Sequence, residues 1–294
     1  MNKATERLML QLKALAEPVR LRLVALCTHG ECSVSELTDV LAQSQPRISQ
    51  HLKQLCDAGL LQRFRDGHFV YYRVAGKGGD AALRRRLLAL VPQDEPLFYR
   101  DIERLRELRS SQETPPPAFD ESDRSLHRAL VELTVAAPIG DLIDIGSGQG
   151  RILKLLASRA QRAVGVDIDS NARRFARAEL LLAGLPNCTL RKGDMYELPF
   201  QEGEFDTIIL DDVLSGAERP TAVLDEARRL LRPGGRLLLL AAVDSQAASR
   251  LGQQFARWCA LTGLRLAAPR RIPAENPRWL LAVATTVDHE TAAA

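Results

Sequence analysis

The sequence has few of the residues that build metal centres and disulfide frameworks. Its 294 residues include only five cysteines and five histidines, and no two cysteines have the spacing of a CxxC motif. The cysteines are Cys27, Cys32, Cys56, Cys188 and Cys259. Because zinc sites and disulfide-stapled folds need clustered or paired cysteines, we expect neither a bound metal nor a disulfide framework.

Long apolar runs are also absent from the sequence. No uninterrupted apolar stretch approaches the roughly 20 residues that a membrane-spanning helix needs. The opening residues lead directly into an amphipathic helix and not into the apolar core of a signal peptide. We therefore expect a cytoplasmic protein without a membrane partner.

The length and the charge distribution indicate two domains with different partners. A chain of 294 residues exceeds the usual domain size of about 100–200 residues. The net charge is +3, but residues 1–110 carry 18 basic and 13 acidic side chains whereas the remainder carries 22 and 24. Residues 43–77 carry six basic and two acidic side chains, so we expect DNA to bind there.

A polar, proline-rich segment from Ser110 to Pro117 separates two halves that differ in periodicity, and we interpret it as a linker. Before it, apolar residues recur at helical spacing, with a hairpin around Asp66-Gly67. After it, apolar strands alternate with helices, which favours an α/β, doubly wound and mainly parallel sheet. These strands are predicted near residues 141–145, 163–166, 188–191, 207–210 and 236–241. The expected domains are residues 1–92, a helix with linker at 93–119, and residues 120–294.

The segment from Gln45 to Cys56 has the pattern of a helix that reads DNA. Ser44 is a favourable N-cap, and Ile48, Leu52 and Leu55 recur at i, i+4 and i+7, so one face is predicted to be buried. The opposite face presents donors and acceptors suited to base edges and phosphates. The predicted DNA contacts are Ser44, Gln45, Arg47, Ser49, Gln50, His51 and Lys53 on this helix, with Arg63, Arg65 and Arg73 on the hairpin.

The order of helices, helix-turn-helix and hairpin wing over residues 5–92 resembles the ArsR/SmtB family of winged-helix repressors. The residues that carry the resemblance are Glu31 to Leu37, Gln43 to Leu52, Gly59 to Leu61, Gly67, and Tyr71 to Val74. The resemblance implies a homodimer that binds double-stranded operator DNA. Where arsenic-sensing members have thiols this chain has Ser33 and Ser35, with Cys32 displaced, and serine hydroxyls do not hold soft metals. Metal sensing is therefore not expected.

The stretch from Leu142 to Gly150 indicates a buried strand that ends in a glycine loop before a new helix. Glycines allow positive backbone dihedrals and let a ligand approach bare backbone. Asp167 ends the second strand, where a carboxylate can accept two ribose hydroxyl protons. After the third strand, Asp194 can accept an adenine amino proton while Met195 and Ile168 contact the ring faces. Together these features predict an adenosine pocket.

Residues 122–285 resemble class I S-adenosylmethionine-dependent methyltransferases, through this loop, the strand-end acid and the turn from Leu231 to Arg236. The residues that the resemblance implies for ligand binding are Asp144, Gly146, Ser147, Gly148, Gly150, Asp167, Ile168, Asp194, Met195 and Asp211, with Asp211 near the sulfur. A dinucleotide-binding dehydrogenase is an alternative, but its loop has the spacing G-x-G-x-x-G and this loop is G-x-G-x-G. A third alternative is that the glycines merely close a structural turn.

A methyltransferase fold can bind its nucleoside without transferring a methyl group, so the fold leaves enzyme and sensor open. The sequence has no large insertion that could cover a pocket for a methyl acceptor. The only candidate catalytic residue is Asp211, which could act as a base but could equally cap the next helix. The leading hypothesis is a repressor whose rear domain senses S-adenosylmethionine or S-adenosylhomocysteine, similar to regulators of methionine-cycle genes. The alternatives are a working methyltransferase with a regulatory DNA-binding domain, and a metal or redox sensor that uses Cys27 and Cys32.

Overall fold

The computed structural model describes residues 2–67, 69–76, 81–92, 95–110, 121–244 and 246–286. The chain divides into two compact units, the first of residues 1–114 with 177–186 and the second of residues 115–176 with 187–294. Except for Ser110, the linker expected up to Pro117 lies outside the described residues. No helix in the described part of the chain combines the length and apolar character needed to cross a membrane.

The first unit contains six helices and a small antiparallel sheet among its described residues. The helices are α1 (Lys3–Leu15), α2 (Pro18–Thr28), α3 (Val34–Leu41), α4 (Gln45–Asp57), α5 (Ala81–Leu88) and α6 (Pro96–Ser110). The strands are β1 (Cys32–Ser33), β2 (Leu61–Asp66) and β3 (Phe69–Val74), in the order β1-β3-β2. The helices and the hairpin match the predicted pattern closely, whereas β1 was not predicted.

The helix-turn-helix is formed by α3 and α4. The Ser33 hydroxyl accepts from the backbone N–H of Glu36, and the Glu36 carboxylate accepts from the N–H of Ser33, so a capping box starts α3. On α4 the side chains of Ile48, Leu52 and Leu55 are fully buried, which confirms the predicted apolar face. Ser44 occupies the N-cap position of α4, as predicted, although its side chain makes no capping hydrogen bond.

The second unit is a sheet of eight strands covered by helices. Its strands are β4 (Asp141–Ile145), β5 (Arg162–Asp167), β6 (Cys188–Lys192), β7 (Phe205–Asp211), β8 (Leu231–Ala242), β9 (Leu264–Leu266), β10 (Arg270–Ile272) and β11 (Trp279–Thr286). Its helices are α7 (Glu121–Ala136), α8 (Arg151–Leu156), α10 (Pro220–Leu230) and α11 (Ala247–Leu261), together with the first half of α9 (Ser170–Leu182).

The strand order is β10-β11-β8-β7-β4-β5-β6, with β9 paired to β11. The five predicted strands correspond to β4 to β8, which are parallel to one another, and β11 runs antiparallel to β8, β9 and β10. The core lies on both faces of this sheet and includes Ile143, Phe205, Ile208 and Phe255, all nearly inaccessible to solvent. Because β4 to β7 are parallel, their carboxyl ends meet at one edge, where ligands bind in folds of this kind.

Candidate functional site

A cavity of about 550 Å³ opens at this edge of the second unit. It is lined by Ile145, Gly146, Val166, Asp167, Ile168, Gly193, Asp194, Met195, Tyr196, Val213, Gly216 and Glu218. Five predicted ligand-binding residues, Gly146, Asp167, Ile168, Asp194 and Met195, therefore line one cavity. The other five, Asp144, Ser147, Gly148, Gly150 and Asp211, are not part of its lining.

The glycine loop has the backbone that its sequence predicts. Gly146, Gly148 and Gly150 have φ angles of 72°, 51° and 79°, in the left-handed region that only glycine adopts readily. A Cβ on Gly146 would lie 2.6 Å from Cγ2 of Val213, a residue that lines the cavity. At Gly146, glycine is therefore needed for both the backbone conformation and the space beside the cavity.

Asp167 is built into the loop as well as into the cavity wall. Its Oδ2 accepts a hydrogen bond from the backbone N–H of Gly148 at 2.7 Å, and its Oδ1 accepts from the N–H of Asp169 at 2.8 Å. The N–H groups of Gly146 and Ser147 both donate to the carbonyl oxygen of Val166. These bonds fix the loop against the end of β5 and leave the half-buried Asp167 carboxylate facing the cavity.

The turn after β6 forms the other end of the cavity. Asp194 accepts a hydrogen bond from the backbone N–H of Tyr196 through Oδ1, which holds its carboxylate at the turn. Ile168 is 69% exposed, an unusual state for a large aliphatic side chain. The guanidinium of Arg219 lies 4.5 Å from the centroid of the Tyr196 ring. Sequence reasoning missed Tyr196, although an aromatic residue directly after Gly193-Asp194-Met195 was a usable signal.

A second group of polar side chains lies at the ends of β4 and β7. Asp144 is 1% exposed, and its Oδ1 has no hydrogen-bond partner among the described residues. Burial raises the pKa of Asp144 well above its usual range, and the neighbouring Asp211 carboxylate raises it further. Burial also raises the pKa of Asp211, although the Arg151 guanidinium opposes that shift.

Arg151 links this polar group to β11, the strand that pairs with β8. Its Nη2 donates to Oδ1 and Oδ2 of Asp211 at 3.2 and 2.9 Å, and its guanidinium lies 4.3 Å from the centroid of the Trp279 ring. Trp279 Nε1 is buried and has no hydrogen-bond partner among the described residues. Asp211 is therefore held in an ion pair, which argues against its use as a free base. Neither Arg151 nor Trp279 was singled out from the sequence.

The alternative role predicted for Asp211, capping the next helix, is not what the structure shows. The helix that follows is α10, and its N-cap residue is Arg219. Asp212 is exposed and has a φ angle of 58°, and its backbone N–H donates to Leu240. Neither carboxylate caps α10.

In the first unit, seven of the ten predicted DNA contacts are exposed. Exposed residues are Ser44, Gln45, Arg47, Gln50 and Lys53 on or beside α4, and Arg63 and Arg65 on β2. Ser49 is half-buried, and so is His51, whose Nδ1 lies 3.5 Å from Oε2 of Glu17. Arg73 donates to Glu31 at 2.9 Å and stacks over Phe64, so its side chain is only 11% exposed. Arg73 therefore has a structural role in this unit, and we do not include it in the proposed DNA surface.

Two segments of the chain match known families. Residues 17–63 match the model described as "Bacterial regulatory protein, arsR family", and residues 143–239 match the model described as "Methyltransferase domain". The chain joins an ArsR-type DNA-binding domain to a methyltransferase domain. The sequence-based family and fold predictions are therefore confirmed.

Individual relatives match one domain each. The arsenic resistance transcriptional regulator ArsR1 of Pseudomonas putida is 49% identical over 63 residues, which are 21% of this chain and 49% of that protein. Nocamycin O-methyltransferase of Saccharothrix syringae is 32% identical over 166 residues, which are 53% of this chain and 56% of that protein. The chain spans between 36% and 56% of the length of the first curated relatives that it matches.

A SAM-dependent methyltransferase from Aquifex aeolicus aligns with a TM-score of 0.49 and 15% identity, over 62% of this chain and 98% of that one.

The ArsR-type domain carries two buried thiols, Cys27 and Cys32. A hydrogen bond with Cys32 and burial raise the pKa of the Cys27 thiol well above its usual range. Soft metals bind thiolates, so this environment is unfavourable for a metal ligand. No group of three or more His, Cys, Asp or Glu side chains that could hold a metal ion occurs among the described residues.

Proposed function

We propose that this chain is a transcriptional repressor whose methyltransferase domain binds S-adenosylmethionine or S-adenosylhomocysteine as an effector, and that it controls genes of the methionine and S-adenosylmethionine cycle. The observation that carries the proposal is the Asp167 carboxylate, fixed by the Gly148 N–H at the wall of a 550 Å³ cavity. The same chain carries a helix-turn-helix with exposed donors and acceptors on α4. One polypeptide thus combines a nucleoside-sized cavity with a DNA-reading helix.

The cavity suits an adenosine derivative both in its volume and in the arrangement of its polar and apolar side chains. Ligand pockets usually have volumes of about 300–1,000 Å³. Asp194 follows β6 and Asp167 ends β5, so the base and the ribose would lie over neighbouring strands. The exposed Ile168 and the half-buried Met195 supply apolar surface for the faces of a purine ring. The G-x-G-x-G spacing and the matched methyltransferase domain favour this ligand over a dinucleotide.

DNA recognition by a helix-turn-helix usually requires two copies, because paired recognition helices read half-sites about one helical turn apart. Helix α1 carries three exposed apolar side chains, Met9, Leu10 and Leu12, and a fourth, Leu90, lies two residues after the end of α5. Exposed apolar side chains of this kind support association with a second copy of the chain. We propose a homodimer in which nucleoside binding changes the affinity for operator DNA by linkage.

The test is fluorescence anisotropy of the full-length protein on its own promoter DNA at fixed salt, because phosphate contacts make DNA affinity salt-dependent. S-adenosylmethionine and S-adenosylhomocysteine are titrated in separate experiments. A shift in operator affinity of about tenfold with either nucleoside supports the sensor. Tight DNA binding that neither nucleoside alters would overturn it.

A working methyltransferase is the second candidate function. It is favoured by the perturbed pKa values of Asp144 and Asp211, since such groups cluster at catalytic sites. The ion pair between Asp211 and Arg151 weighs against it, because a paired carboxylate is a poor base. Formation of S-adenosylhomocysteine from S-adenosylmethionine, strictly dependent on an added acceptor, would establish this activity.

A further inference from the structure

Helix α9 (Ser170–Leu182) contributes residues to both compact units of the chain. Its residues up to Ala176 are part of the second unit, whereas those from Arg177 onward are part of the first. The helix begins three residues after Asp167, the acid that we assign to the ribose. One continuous helix therefore leads from the wall of the nucleoside cavity into the unit that carries the DNA-reading helix α4.

The first half of α9 packs against the strand end and the glycine loop of the cavity. Arg173 is fully buried, and its Nη1 donates to the carbonyl oxygen of Asp167 at 2.8 Å. Ala176 is also fully buried, and its Cβ lies 3.1 Å from the position that a Cβ on Gly150 would occupy. Because close-packed interiors transmit small displacements, a ligand that shifts the strand end or the glycine loop also shifts α9.

Arg177 begins the second half of α9 and is buried between two acids of the first unit. Its Nε donates to Oε2 of Glu31 at 2.7 Å, and its Nη2 lies 2.6 Å from Oδ2 of Asp66. Its guanidinium lies 4.3 Å from the centroid of the Tyr71 ring. All four residues are nearly inaccessible to solvent. The charges therefore interact with little screening by water.

The partners of Arg177 belong to the hairpin wing and to the strand beside it. Asp66 is the last residue of β2, and Tyr71 lies on β3. Glu31 directly precedes β1, which pairs with β3. Asp66 directly follows Arg65, an exposed basic side chain of the proposed DNA surface. Arg177 thus holds the strand that presents this side chain.

Arg109 connects the same part of α9 to the helix-turn-helix. Its Nη1 donates to the carbonyl oxygen of Arg177 at 3.0 Å, and its Nη2 donates to the carbonyl oxygen of Glu31 at 2.7 Å. Its Nε donates to Oε1 of Glu36 at 2.7 Å. Glu36 also forms the capping box that starts α3. The backbone of α9 is therefore linked through one buried arginine to the first helix of the helix-turn-helix.

We propose that Arg177 is the positioning residue through which nucleoside binding changes the geometry of the wing and the helix-turn-helix. The proposal rests on the proposed function, since it requires a nucleoside in the cavity. A shift of α9 by about 1 Å along the bonds to Glu31 and Asp66 would take them out of hydrogen-bonding range. Because unpaired buried charges are costly, both acids follow the arginine. The operator affinity then depends on the position of α9.

The test is the ratio of operator affinities of the full-length protein with and without saturating S-adenosylhomocysteine or S-adenosylmethionine, measured by fluorescence anisotropy. The active nucleoside should give a ratio of about tenfold for wild-type protein. Arg177→Met keeps much of the side-chain length but removes the charge, and should reduce the ratio to less than about twofold. Calorimetry without DNA should still give a nucleoside affinity within about threefold of wild type.

A second variant and two controls separate coupling from a loss of stability. Asp66→Asn removes only the bond to the wing, and it should give an intermediate ratio even if Arg177→Met does not fold. Arg22→Met breaks another ion pair of the first unit, with the buried Asp101 at 2.7 Å, which does not include α9. It should lower stability and keep the tenfold ratio. Arg174→Met, on the exposed face of α9, should keep both.

The outcomes distinguish this coupling from the proposed function. If wild-type protein binds neither nucleoside, or binds one without a change in operator affinity, the proposed function fails and the role of Arg177 with it. If wild-type protein responds and both Arg177→Met and Asp66→Asn keep the tenfold ratio, the sensor stands and the role of Arg177 is wrong. Loss of the ratio in Arg22→Met as well would assign the effect to stability and would also overturn it.

Discussion

The backbone N–H of Gly148 donates to Oδ2 of Asp167 at 2.7 Å, which makes the glycine loop and the strand-end acid one structural element. A charged acceptor strengthens such a bond relative to a neutral one. The bond fixes the carboxylate before a ligand arrives, so little side-chain freedom is lost on binding. A substitution at Asp167 therefore affects both the direct ribose contact and the shape of the loop.

Replacing Asp167 should weaken the nucleoside response and spare DNA binding. Asp167→Asn keeps the size of the side chain but removes the charge, and we expect nucleoside affinity to fall by about 10- to 100-fold. Calorimetry measures the loss, and anisotropy on promoter DNA without nucleoside should give the wild-type affinity. Asp212→Asn is the matched control, since Asp212 is exposed, adjacent in sequence to Asp211 and absent from the cavity lining. A nucleoside response that survives Asp167→Asn would place the ligand elsewhere.

Gly146→Ala should destabilise the methyltransferase domain in two ways: through a steric clash with Val213 and through an unfavourable backbone conformation. The φ angle of 72° makes alanine unfavourable by about 1–2 kcal/mol, and a Cβ 2.6 Å from Val213 adds about 1–3 kcal/mol. Gly203→Ala is the control, because Gly203 has a φ of 62° but no atom within 4 Å of the position that a Cβ would occupy. Urea denaturation measures the difference between the two variants.

Val213→Ala in the Gly146→Ala background tests the origin of that difference. If the contact with Val213 is the cause, the double variant should recover most of the extra destabilisation, which a double-mutant cycle quantifies. Equal stability of Gly146→Ala and Gly203→Ala would show that only the backbone conformation matters.

The exposed basic side chains of α4 should contribute to DNA binding through phosphates. Arg47→Ala and Lys53→Ala are each expected to weaken operator binding and to reduce the slope of log affinity against log salt by about 1. Arg257→Ala, on the exposed face of α11, is the control and should leave the slope unchanged. Anisotropy at several salt concentrations measures these slopes. An unchanged slope for both α4 variants would exclude this face as the DNA surface.

Arg73 is expected to behave differently from Arg47 and Lys53. Its guanidinium pairs with the buried Glu31 carboxylate, so Arg73→Ala should lower the stability of the ArsR-type domain by about 1–3 kcal/mol. The salt slope of DNA binding should stay at the wild-type value. A stable variant with a reduced slope would instead return Arg73 to the DNA surface.

The features that could be predicted from the sequence are those formed by residues close together in the chain. Helix α4 follows from spacings within twelve residues, and the glycine loop follows from a strand, a loop and a helix in direct succession. The pairs that were missed are distant in sequence. Arg151 meets Trp279 only because antiparallel β11 joins the sheet beside β8, and Arg73 meets Glu31 only after β1 pairs with β3. Strand pairing over such distances leaves no periodic signal.

Asp144 should make stability depend on pH in a direction opposite to that of a salt-bridged carboxylate. Its pKa in the folded protein is raised well above the usual value, so the native state holds a proton that the unfolded chain releases above a pH of about 4. Stability contributed by this group is present at low pH and is lost as the pH rises through the window between the unfolded and the folded pKa. Above the folded pKa its contribution is constant.

Asp144→Asn mimics the protonated side chain at every pH and should remove this dependence. The melting temperature of the variant relative to wild type is therefore expected to rise between pH 4 and pH 8, measured by scanning calorimetry in matched buffers. Asp212→Asn is again the control, because Asp212 is exposed and adjacent in sequence to Asp211. If the Asp144→Asn difference were flat or fell with increasing pH, the carboxyl group would be ionised in the folded protein.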